Sequence, residues 1–133
     1  MRDVAGRSVA ARTAVAAVAA VVVNVVLQVL AVAIFDIPDD FEHIALRAVV
    51  LSTLIGVVAA GVVYALIARS ARDPDRTFTI VAVVAFLLSL AAPLSLGFDE
   101  TAAVIALMLM HGTTAAIVVF VFTRWPGGLR AGG

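Results

Sequence analysis

His111 stands in the middle of a long apolar run, in the stretch LMLMHGTTA. Imidazole can carry a proton, ligate a metal, or both donate and accept hydrogen bonds. An ionisable group at mid-membrane depth is a functional-site hypothesis by default. Asn24 and Gln28 lie four residues apart in another apolar run, so they share one face of a helix. Ala16 and Ala20 extend that face as a stripe of small residues. The two amides sit at a depth comparable to His111 and are its expected partners. Asn24, Gln28 and His111 therefore form a candidate mid-membrane polar site, open to two main readings, with a contact between copies as a third for the two amides. The three relay protons or hold a ligand, or they fasten helices through the hydrogen bonds that amides and imidazoles make across membrane interfaces.

Other residues carry weaker signals. Arg47 lies about one turn into its apolar run, and Glu42, Asp99 and Glu100 are its expected partners in an outer ion pair. An anion contact is the other reading of Arg47. Ser52, Gly56 and Ala60 recur at four-residue spacing, with Gly61 and Ala65 beside them, as in faces that let membrane helices approach closely. Pro93 removes a backbone donor and is expected to kink or end its helix, and Ser89 one turn earlier could satisfy the freed groups. The second histidine, His43, lies at the edge of its run and cannot share a mid-membrane ion with His111. No metal and no cofactor is expected. Met108 and Met110 read as core or lipid-facing fillers.

Cysteine is absent, which removes disulfides and thiolate chemistry. There is no Ser/His/Asp arrangement, no phosphate-binding glycine loop and no membrane-embedded carboxylate pair. The chain is not expected to be an enzyme.

The elements that must position these residues are apolar helices. Of 133 residues, 64% are hydrophobic, and the mean hydropathy is +1.18. The excess falls in four runs, each near or above the roughly 20 residues that carry a helix across the bilayer core. Helices are expected at about residues 13–35, 44–68, 78–96 and 101–123. Such runs are too long for strands, and the alternation of a membrane β-barrel is absent. The expected fold is all-α: a polytopic membrane protein, one four-transmembrane-helix bundle over residues 1–133. The first run begins after a basic stretch and contains Ala31-Val32-Ala33, which suits a cleaved leader. Its apolar length exceeds the usual leader core of about 7–15 residues, so a retained helix is expected.

Arginine placement gives the direction. Arg2, Arg7, Arg12, Arg69, Arg72, Arg76, Arg124 and Arg130 fall on one side. Asp36, Asp39, Asp40, Glu42, Asp99 and Glu100 fall on the other. The positive-inside rule then puts both termini in the cytoplasm of a multi-pass cell-membrane protein. The formal net charge of zero argues against a nucleic-acid partner. Expected partners are membrane lipids, and a second copy or a larger membrane complex.

Asn24, the segment from Thr53 through Gly56 to Tyr64 and Arg69, Ser89 with Pro93, and LMLMH ending at His111 together carry a resemblance. On these residues the chain resembles an uncharacterised family of small four-helix integral membrane proteins of actinobacteria and halophilic archaea. The resemblance covers nearly the whole chain. It implies architecture and leaves activity open. The expected role is a structural or accessory bundle component. The alternative is a small transporter, channel component or proton-coupled carrier using the mid-membrane polar cluster.

Overall fold

The computed structural model describes residues 2–37, 44–95 and 101–125, with side chains from Ser8 onward. Helix α1 runs Arg2–Phe35, α2 Leu46–Ser70, α3 Pro74–Ser89, α4 Ala91–Leu94 and α5 Thr101–Arg124. There is no strand among the described residues. Four spans are long and apolar enough to cross a membrane: Ser8–Phe35, Leu46–Ser70, Pro74–Leu94 and Thr101–Arg124. The fold is therefore an all-α bundle of four membrane-crossing helices.

Helix α1 starts well before residue 13, because the basic segment holds no proline and its arginines are good helix formers. A left-handed Asp36 at φ 52° follows its last residue. At α3, Asp73 accepts a hydrogen bond from the Arg76 amide at 3.2 Å, with Pro74 as the first helical residue. A capping carboxylate followed by proline is a strong local start signal, and it begins the helix four residues before the apolar run.

Pro93 breaks the third span, as its chemistry requires. Helix α3 ends at Ser89, and the chain resumes for one turn as α4. The Ser89 hydroxyl donates to the Phe86 carbonyl at 2.6 Å. It serves the turn before the break and not its own carbonyl, the one Pro93 leaves without a donor.

Helix α1 packs chiefly against α2 and α5, while α3 leans on α5 and α2. The third span is buried over 11% of its most apolar window, against 22% for each of the other three. One core cluster joins Ala16, Ala20, Val57, Tyr64, Phe78, Val118, Val121 and Phe122. A smaller one at the opposite end joins Ala31, Ile37, Ile44, Ala103 and Ala106.

The close approach of α1 and α2 is at Gly61, where a Cβ would collide with the Thr13 side chain. The Ser52/Gly56 stripe is not a packing face within the bundle. Both residues are exposed, and a Cβ on Gly56 would meet nothing within 4 Å.

Candidate functional site

The polar centre is built around Asn24, which α1 buries at 3% exposure. Its Nδ2 donates to Thr53 Oγ1 of α2 at 2.9 Å and to Thr114 Oγ1 of α5 at 2.8 Å. Both amide protons are thereby used, and three helices are tied at one level. The Thr113 hydroxyl also lies 3.3 Å from Asn24 Oδ1. Its single proton is closer to the Leu109 carbonyl, at 2.9 Å.

His111 does not bond to either amide. Its Nδ1 lies 2.6 Å from the Leu107 carbonyl one turn back on α5. A carbonyl can only accept, so Nδ1 carries the proton. In the neutral ring Nε2 is then a bare acceptor, and it has no partner among the described residues. Own-helix bonding defeats the expected pairing because the Leu107 carbonyl is already within reach of the ring. Gln28 is buried at 8% exposure, and its amide likewise has no hydrogen bond among the described residues.

Asn24 and His111 share a cavity of about 410 Å³ between α2, α3 and α5. Thr53 and Thr114 also line it; Gln28 does not. The rest of the wall is mostly Ala, Val and Phe. Ser52, Gly56 and Ala59 of α2 and Val81 and Ala85 of α3 line the cavity and are exposed. It therefore opens sideways between α2 and α3, onto the face a bilayer would cover.

One end of the bundle is closed by aromatic rings. Tyr64 and Phe78 meet edge-to-face at 5.1 Å, and Phe122 lies 5.2 Å from Tyr64 and 5.4 Å from Phe78. Arg12 caps this cluster. Its Nη1 donates to the Phe122 carbonyl at 2.5 Å and to the Tyr64 hydroxyl at 3.2 Å. Tyr64 in turn donates to Asp75 Oδ1 at 2.9 Å. The Phe122 carbonyl would ordinarily accept from residue 126, but that residue is proline and has no N–H. The guanidinium replaces the missing donor at a helix C-terminus, where positive charge is also favoured.

This clamp was not among the residues expected from sequence. The signal was present: Arg12, Ala16, Ala20, Asn24 and Gln28 follow one four-residue period. Counting Arg12 only as a topology charge hid its place on the inward stripe. Arg47 is exposed. Its expected partners Glu42, Asp99 and Glu100 lie outside the described residues, as does His43. Among the described residues no three His, Asp or Glu side chains gather as a metal site would need.

Residues 4–126 match the model of a family described as a family of unknown function (DUF6069). No curated protein and no solved structure matches the chain.

Proposed function

The chain belongs to this family of unknown function, and on that footing we propose that it serves as a structural or accessory bundle component of the cell membrane, without enzymatic activity. The observation that supports this reading most is the commitment of Asn24. Both of its amide protons are spent on Thr53 and Thr114, so the most buried polar group of the interior ties helices together and has no donor left for a passing solute. The aromatic cluster at the arginine-bearing end speaks against an axial conduit, since Tyr64, Phe78 and Phe122 fill the space a pathway would need. Both termini lie in the cytoplasm in this proposal, following the arginines. The exposed apolar faces of α1 and α2 contact lipid, a second copy or a larger membrane complex.

The test is reconstitution in liposomes loaded with a pH-sensitive dye. Wild type and His111→Ala should both leak protons at the rate of empty vesicles. A wild-type leak above that rate, lowered by His111→Ala, would establish the carrier reading instead. Tags at both termini should be inaccessible from outside intact cells; labelling of either one would overturn the orientation.

A further inference from the structure

Asn24 is spent, but three of its neighbours are not. Nδ2 donates to the Thr53 and Thr114 oxygens, so neither hydroxyl proton is consumed in those bonds. Neither hydroxyl has an acceptor among the described residues. The Leu107 carbonyl accepts the hydrogen bond from His111 Nδ1, so in the neutral ring the Nε2 lone pair is left unpaired among the described residues. Thr114 follows His111 by three residues on α5, so the two are neighbours on one helix face. All three side chains line the same cavity. Its wall thus presents an acceptor and unspent donors, within a chamber otherwise lined mostly by hydrocarbon; the Ser52 and Ser89 hydroxyls on the wall donate to carbonyls of their own helices.

A hydroxyl group meets that pattern with one atom, since its proton can go to Nε2 while its oxygen accepts from a threonine. Among the described residues the wall includes no Asp, Glu, Lys or Arg. An ionised head group would lose its hydration there without gaining a counter-charge. About 410 Å³ lies within the range of roughly 300–1,000 Å³ usual for small-molecule sites. Left empty, so large a hollow would forfeit dispersion contacts along every wall. The mouth between α2 and α3 faces sideways, so the occupant arrives through the bilayer.

We propose that this cavity binds a membrane-dissolved lipophilic alcohol, whose hydroxyl donates to His111 Nε2 and whose hydrocarbon body lies between α2 and α3. The site goes beyond the fastening role of Asn24, and its threonine donors rest on the Asn24 bonds of that role.

The test uses the full chain in lipid nanodiscs and two photoreactive probes. One is a long-chain fatty alcohol with a mid-chain diazirine; the other is its methyl ether, which has the same chain and no donor. Crosslinks are mapped by mass spectrometry. The alcohol should label α2 and α3 at the cavity wall, around Ala59 and Val81. The ether should label there about tenfold less, the effect of losing one hydrogen bond of roughly 1.4 kcal/mol. His111→Phe should reduce alcohol labelling to the level of the ether. Gly56→Leu places a side chain at the mouth where the structure offers open space, and it should suppress labelling by both probes. Equal labelling of the wild type by alcohol and ether would overturn the proposal, because the cavity would then hold any acyl chain. So would alcohol labelling that persists in Gly56→Leu. The comparison of the two probes needs no variant and stands if His111→Phe fails to fold.

Discussion

Arg12 Nη1 donates to the Tyr64 hydroxyl at 3.2 Å, and the guanidinium carbon lies 5.8 Å from the centre of the Tyr64 ring. The cation thus meets the tyrosine through both its oxygen and its π face. Only the first contact needs the hydroxyl, so substitutions can separate the two. Tyr64→Phe keeps the ring packing but loses two hydrogen bonds, the one from Arg12 and the one to Asp75, and should lower stability by about 1–3 kcal/mol. Arg12→Ala also strands the Phe122 carbonyl and should cost about 2–4 kcal/mol. Arg12→Lys should cost less than Arg12→Ala but more than nothing, since an ammonium lacks the planar fork and its wider reach. Unfolding in detergent, followed by circular dichroism, would give the ranking. A double variant, Arg12→Ala with Tyr64→Phe, no less stable than Tyr64→Phe alone would refute the separate role of Phe122, because Arg12 keeps only that hydrogen bond once the hydroxyl is gone.

Asn24 should be the most costly small polar residue to remove. Asn24→Ala breaks two bonds to two other helices and should destabilise the bundle by about 1–4 kcal/mol, at roughly 0.6–2 per bond in a membrane. A double-mutant cycle with Thr114→Ala should show coupling, because the threonine's bond is already gone in the Asn24 variant. Additive losses would mean the Asn24–Thr114 contact contributes nothing.

Gly61 should tolerate no side chain while Thr13 is present. Gly61→Ala drives a Cβ into the Thr13 side chain, and overpacking of this kind costs about 1–3 kcal/mol. Thr13→Ala removes the colliding atoms and should restore most of the loss in the double variant. Failure of that rescue would show that the α1–α2 spacing is set elsewhere.

Asp36 should respond in the opposite direction. It holds φ at 52° directly after α1, a region that costs most residues about 1–2 kcal/mol and glycine little. Asp36→Gly should raise stability by about 0.5–1 kcal/mol, and Asp36→Val should lower it. A loss with glycine would mean the carboxylate makes a compensating contact.

Architecture was legible because a bilayer leaves few choices. Runs such as residues 101–123 must be helical once they are long and apolar, and α5 is Thr101–Arg124. The start of α3 is readable in Asp73-Pro74 as capping chemistry, a signal to which hydropathy is blind. The site was legible in part. Asn24 and His111 line one cavity, but their bonds could not be assigned from spacing. Sequence places residues by depth, and hydrogen bonds also require the rotation of each helix about its axis. That rotation is set by Gly61 against Thr13 and by the Arg12 clamp, contacts between segments far apart in the chain. Thr53 and Thr114, the actual partners of Asn24, carried no mark of their own, because threonine in an apolar run bonds equally well to its own helix.

Helix α3 is secured by Tyr64, Phe78 and Asp75 at one end and borders a hollow along its middle. In assembly terms the molecule is a tripod of α1, α2 and α5 with a fourth stave hung from one corner. Amide protons in the middle of α3 should therefore exchange with solvent or lipid-borne water sooner than those of α1 at the same depth. A thicker or more tightly packed bilayer would act first on that stave, so the width of the side opening becomes a property that the surrounding membrane sets.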